Sequence, residues 1–243
     1  VLIVRPESEV KAILQLSHGM SGWKERFLPF MKYLADQGIL CIANDHRGHG
    51  ASVKEDKDIG YMYKGGAKAL VNDMRLVSEM ICKQYPDTSL FLLGHSMGSM
   101  AARAYTIEDD SLLKGLIVCG TPSYSIFAPI VYALCSIACK LGLGRVRANI
   151  AQQIVSYFYN IRFASEGPQA WTCSDPEVRK EYGLNPDTKY KFSLNAAKGL
   201  MWLMMSAYGK YPGKNCSKNL PITFLSGEDD PCGRIPKGMN KAI

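Results

Sequence analysis

The chain has no run of about 18 apolar residues, the minimum for a helix that spans a bilayer. Its longest apolar stretch, Ile126 to Cys139, is broken by Ser136 and closed by Lys140. A membrane-spanning protein is therefore not expected. There is no Cys-x-x-Cys pair and no zinc-ligand spacing among the eight cysteines, at 41, 82, 119, 135, 139, 173, 216 and 232. Several of these lie inside apolar runs. With no signal-type leader, this predicts reduced thiols in a cytoplasmic protein. No dense Lys/Arg block occurs either: 29 basic against 22 acidic residues leave a net charge of +7 spread along the chain. No nucleic-acid partner is expected from that distribution. Internal repeats and low-complexity segments are absent, and the charged fraction of 21% is too ordinary for a disordered chain. An initiator methionine is also lacking, since Val1 opens the apolar run Val1-Leu2-Ile3-Val4. That start reads as a processed or cut N-terminus.

What is present is 243 residues, enough for one full-sized domain with a real core. Short β-type runs alternate with helical patterns, the mark of an α/β protein with a mostly parallel sheet flanked by helices. Strands are predicted at Ala12 to Ser17, Ile39 to Ala43, Leu90 to Leu93, Leu116 to Cys119 and Pro221 to Ser226. Helices are predicted at Trp23 to Gln37 and Lys64 to Tyr85, from apolar residues recurring at helical spacing, and at Ser96 to Thr106, a segment rich in small residues. Between Thr121 and about Ala207 the alternation stops and the chain is apolar, aromatic and helical. This predicts residues 1–121 as the first part of a core, 122–207 as an inserted cap, and 208–243 as a return to the core. Within the cap, Ile126, Phe127, Ile130, Val131, Leu134 and Ile137 are expected mostly to pack the insertion onto the core. A minority would line an acyl groove or rest on a lipid surface.

Gly94-His95-Ser96-Met97-Gly98 is a G-x-S-x-G pentapeptide that follows an apolar strand and opens a helix. A serine on so sharp a turn projects its hydroxyl into a site, and the flanking glycines are needed because side chains would collide with strand and helix. His18-Gly19-Met20 ends the first strand upstream of it. Acyl-transfer hydrolases draw one oxyanion donor from a loop at that place and another from the residue after the nucleophile. Met20 and Met97 are thus the predicted oxyanion hole, acting through their backbone N–H groups. A plain structural turn at His18-Gly19 is the alternative.

These motifs, together with Asp45-His46-Arg47-Gly48-His49-Gly50, Ser52 and Ser226-Gly227-Glu228-Asp229-Asp230-Pro231-Cys232-Gly233, resemble the α/β-hydrolase fold. They are most similar to its monoacylglycerol lipase and lysophospholipase branch, the serine aminopeptidase S33-like or Hydrolase_4 group. The resemblance extends over nearly the whole chain. It implies Ser96 as nucleophile and Asp230 as the acid that orients a catalytic histidine. A slip of one or two residues would favour Asp229 or Glu228 instead. His46 and His49 match a structural loop of that family, so no metal is expected there, and no organic cofactor is implied. His95 is expected to pack away from the serine hydroxyl.

The base is the gap. Triad order in this fold is Ser, Asp, His, yet the histidines are 18, 46, 49 and 95, all before Asp230. The expectation is a fragment of a longer hydrolase that lacks the last strand, the closing helix and the histidine between them, and is inactive as written. The intact protein is expected to cleave carboxylic esters of lipid type, monoacylglycerol or lysophospholipid, through an acyl-serine. Its partner is then a small lipid or ester substrate, with at most peripheral membrane contact through the cap. Two other readings stay open: a catalytically silent ligand-binding protein, and a peptidase or amidase of the same fold.

Overall fold

The computed structural model describes residues 1–167, 169–184, 191–209, 217 and 219–233. Much of the predicted return to the core, 208–243, lies outside these residues. Among the described residues six strands form one sheet: β1 (Leu2–Val4), β2 (Ala12–Ser17), β3 (Ile39–Ala43), β4 (Leu90–His95), β5 (Leu113–Cys119) and β6 (Ile222–Leu225). Their order is β1-β3-β2-β4-β5-β6. β1 runs antiparallel to β3, and every other pairing is parallel.

The helices are α1 (Leu28–Asp36), α2 (Gly66–Gln84), α3 (Met97–Glu108), α4 (Ala128–Lys140), α5 (Asn149–Asn160), α6 (Pro176–Leu184) and α7 (Leu194–Tyr208). A 3-10 turn, Lys24–Phe27, leads into α1, so the predicted helix 23–37 is split. Pro29 in the first turn of α1 explains why regular helix begins there.

The central strands are nearly continuous apolar runs, as expected of a parallel sheet covered on both faces. Strand alternation divides them between two cores. Ile13, Leu40, Ile42, Leu90, Leu92, Leu116 and Val118 pack with Leu70, Met74 and Ile81 of α2 and with Met100, Ala101 and Tyr105 of α3. Their neighbours Leu14, Leu16, Cys41, Ala43 and Leu93 pack with Met31 of α1 on the opposite face. Shifting β2 by one residue would exchange these sets, so the register is strongly fixed. α7 lies on α3, and its Ala196 and Leu203 are fully buried.

Because β2 to β6 are parallel, their carboxyl ends reach one edge together. Ser17 is level with Gly94, His95 with Cys119, and Cys119 with Leu225. In open α/β sheets this is the edge where ligands bind.

The helices between β5 and β6 depart from one expectation. On and around α4, Ile126, Phe127, Ile130, Leu134 and Ile137 are all exposed. Packing on the core therefore does not account for most of this apolar stripe. Ala128 and Cys135 supply its buried face. Among the described residues no helix is long and apolar enough to cross a membrane.

Candidate active site

Ser96 sits between the end of β4 and the start of α3 with φ 53° and ψ −119°. A non-glycine residue in such a conformation costs about 1–3 kcal/mol and persists only where its surroundings over-determine it. They do so here. The Ser96 N–H donates to Cys119 O at 2.9 Å, and Ser96 O accepts the Ser99 N–H at 2.9 Å and the Ser99 hydroxyl at 2.5 Å. A Cβ on Gly94 would fall 2.6 Å from Ser99 Cα, and one on Gly98 would fall 2.6 Å from His18 O. Each glycine is thus required by backbone approach, one within the elbow and one against the end of β2.

Gly19 lies directly against the serine, its own Cβ position being 3.1 Å from Ser96 Cβ. The Gly19 carbonyl accepts two hydrogen bonds, from His18 Nδ1 at 2.8 Å and from the Gly22 N–H at 3.1 Å. His18 Nε2 accepts the His46 N–H at 3.0 Å, which places the ring proton on Nδ1 of the neutral imidazole. A trans peptide holds its C=O and N–H on opposite sides. Fixing the Gly19 oxygen therefore fixes the direction of the Met20 N–H. Met97 is the first residue of α3, and its N–H has no intrahelical acceptor. Of the two amides named from sequence, that of Met97 follows Ser96 in the chain, and that of Met20 follows Gly19, which lies against Ser96.

The acid candidates separate by orientation. Gly227 to Asp230 form a turn closed by the Asp230 N–H on Gly227 O at 3.2 Å. Glu228 and Asp229 occupy its exposed corner, where Asp229 pairs with Arg162 at 3.0 Å while both side chains stay solvated. Asp230 turns inward. Its Oδ1 accepts the Cys232 N–H at 2.8 Å, and its Oδ2 is 3.7 Å from the Cβ position of Gly120, just past β5. The ring of His95 is also 3.7 Å from that position, so His95 and Asp230 face the same point above the sheet edge. Burial pushes the Cys232 thiol up to about 12, with the Asp230 charge adding to it, and the Cys119 thiol is raised for the same two reasons. Both therefore stay protonated at neutral pH.

The loop after β3 is fixed as its residue types suggest. Asp45 accepts from Lys24 N at 2.8 Å, Lys24 Nζ at 2.6 Å and Ala51 N at 2.9 Å. Burial alone would raise the Asp45 carboxyl, but these bonds outweigh it and hold the group below its usual range. Arg47 grips Asp73 through two bonds of 2.6 and 2.9 Å.

Sequence reasoning did not foresee that His18, His46 and His49 form one buried cluster beside the loop that follows β2. Their ring centroids are 4.2 Å apart for His18–His46 and 5.0 Å for His18–His49. The signal was available, because His18 follows β2, the other two follow β3, and these strands are neighbours. Among the described residues no group of three His, Cys, Asp or Glu side chains is arranged to hold a metal.

Burial, then mutual repulsion, lowers all three pKa values: His46 and His49 to about 3, His18 well below its usual value. An unfolded histidine titrates near 6.5. Below that pH the unfolded chain binds protons that the folded chain refuses, so stability is complete above about pH 6.5 and falls as pH drops. Each histidine contributes about 1.4 kcal/mol per pH unit to that slope at most. Thermal unfolding should show Tm declining from pH 6.5 to pH 5, before the carboxylates titrate. A flat Tm over that window would contradict the buried neutral cluster.

A strained serine elbow at the carboxyl edge of a mostly parallel sheet, with helices inserted before the last described strand, defines an α/β-hydrolase. The chain belongs to the serine aminopeptidase S33 family, Hydrolase_4, which it matches over residues 8–239. It is 31% identical over 114 residues to monoglyceride lipase of Mus musculus, a match covering 47% of this chain and 36% of the relative. With monoacylglycerol lipase of Mycolicibacterium smegmatis it shares 22% identity over 228 residues, 93% of this chain and 72% of the relative. Among solved structures, a carboxyl esterase from Bacillus coagulans superposes with a TM-score of 0.88 at 24% identity, covering 99% of this chain and 78% of that one. The chain thus spans about a third of the mouse relative's length in their match.

Proposed function

We propose that this protein is a serine hydrolase that cleaves carboxylic esters of lipid type, monoacylglycerol or lysophospholipid. The observation that carries the reading is the Ser96 backbone, held at φ 53° between two glycines that cannot be replaced without collision. In this reading Ser96 Oγ attacks the ester carbonyl and the Met20 and Met97 N–H groups stabilise the oxyanion. The alcohol leaves, and water then hydrolyses the acyl-serine. Asp230, turned toward the sheet edge, is assigned to orient the base histidine that takes the serine proton and that follows the acid in the triad order of this fold.

None of the four histidines suits that base. A general base works best with a pKa near the operating pH. Burial holds His46 and His49 at about 3 and His95 at about 4, and keeps His18 well below its usual value. The nitrogens of His18 are moreover engaged with Gly19 and His46.

A lipid substrate is supported by the relatives described as monoacylglycerol lipases and by the exposed stripe on α4. An apolar patch of this kind, on the segment we assign as a cap (122–207), suits contact with a lipid surface. The family's description as an aminopeptidase favours the second reading, an amidase. The two are separated by assaying the intact protein on 1-monooleoylglycerol and on aminoacyl nitroanilides. Release of oleate with at least about a hundredfold preference in kcat/KM, some 2.7 kcal/mol in transition-state binding, is expected. Preferential cleavage of the anilide would overturn the ester assignment.

A further inference from the structure

Tyr182, on α6 in the inserted helices, reaches the oxyanion turn. Its hydroxyl donates to Ser21 O at 3.1 Å. Its ring stacks on Trp23, with centroids 6.2 Å apart and planes 18° from parallel, and the Arg26 guanidinium lies 4.4 Å from the ring centre on the same segment. Burial raises the pKa of the phenol, so it remains a donor at neutral pH. α6 is itself anchored: Asp175 Oδ1 accepts the Glu177 and Val178 N–H groups at 2.9 and 3.3 Å, and Arg179 pairs with Glu166 at 3.0 Å.

What Tyr182 touches is strained. Ser21 is buried with φ 55°, a second non-glycine residue in the left-handed region beside the site. The Ser21–Gly22 peptide is held at both ends, its oxygen by Tyr182 and its N–H by Gly19 O. The Gly19 oxygen shares a plane with the Met20 N–H. Two hydrogen bonds and the two peptide planes they join therefore connect the Tyr182 hydroxyl to the direction of that amide. From these contacts we infer that Tyr182 is a positioning residue, through which the seating of α6 sets the Met20 oxyanion donor. This rests on the reading of Met20 as such a donor, and it makes catalytic competence depend on where the inserted helices sit.

The test is Tyr182→Phe in the intact protein, which keeps the ring contacts with Trp23 and Arg26 and removes only the hydroxyl. Losing one neutral hydrogen bond is expected to lower kcat for p-nitrophenyl acetate about 3- to 10-fold, with KM nearly unchanged. The specific readout is the kcat ratio of an oxoester to its thionoester, since sulfur is a poor acceptor for an oxyanion hole. Wild type should favour the oxoester strongly, and the variant should narrow that ratio by the same factor as its loss in kcat. Equal losses on both substrates, or unchanged kcat, would overturn the positioning role.

Amide hydrogen exchange of residues 18–23 in a Ser96→Ala background supplies a readout free of chemistry. Faster exchange with Tyr182→Phe is expected, and identical exchange would overturn the latch. A wild type with no turnover on any ester would sink the hydrolase reading, while exchange would still decide the latch.

Discussion

Replacing Ser96 by alanine should lower kcat for ester hydrolysis on the order of 10⁵- to 10⁶-fold, the scale seen when a serine nucleophile is removed. The size of the loss follows from the mechanism. In the proposed mechanism no acyl-enzyme forms without Oγ, and the Met20 and Met97 amides assist only direct attack by water. Their residual assistance, together with binding, leaves about 10³- to 10⁴-fold over the uncatalysed rate. Folding should survive, because the elbow is held by the Ser96 N–H on Cys119 O and by the Ser99 bonds to Ser96 O, and none of these uses the Ser96 hydroxyl. Unchanged Tm with collapsed kcat is the expected pair of results. A fall in Tm that matched the fall in kcat would instead mark Ser96 as a structural residue.

Asp230→Asn should be the next most damaging change, lowering kcat about 10⁴-fold, the cost of losing a triad carboxylate. In the proposed mechanism the carboxylate fixes the tautomer of the base and stabilises the imidazolium, and an amide of the same shape does neither. Asp230 already accepts the Cys232 N–H, and the asparagine oxygen can keep that bond, so the turn should persist. Asp229→Asn is the matched control. Its ion pair with Arg162 is solvated on both sides, a type of contact worth about 0–1 kcal/mol. Activity within about twofold of wild type is expected from it. The reverse ranking, with Asp229 severe and Asp230 mild, would transfer the acid role to the neighbour that the sequence left open.

Much of the sheet could be read from the chain because parallel strands buried on both faces carry an unmistakable run of branched apolar residues. Ala12–Ser17 and Ile39–Ala43 form strands with the boundaries the sequence predicts. β1 could not be recognised so easily. It is three residues long and antiparallel, and it pairs only at the edge through Leu2, Ile3 and Val4. α4 shows a different limit. Its hydrophobicity predicts that Ile130, Leu134 and Ile137 seek an apolar environment, but not that the folded chain leaves them exposed.

At the site, Gly94, Ser96 and Gly98 were legible because a single local turn needs all three. Asp230 was a candidate only through the family resemblance, with Asp229 and Glu228 left open beside it, because its inward orientation depends on the Gly227 turn, which composition alone does not specify. The His18–His46–His49 cluster and the Tyr182 contact with Ser21 join residues 28 to 161 positions apart. Such contacts follow from strand order and from how the inserted helices fold back.

The central claim is that Ser96 is an activated nucleophile. The most direct measurement is to treat the intact protein at neutral pH with a fluorophosphonate and map the adduct by peptide mass spectrometry. The mechanism predicts one stoichiometric phosphonyl adduct on Ser96 and none in the Ser96→Ala protein. Labelling that persists undiminished in Ser96→Ala, or a folded wild type that takes up no label, would contradict it.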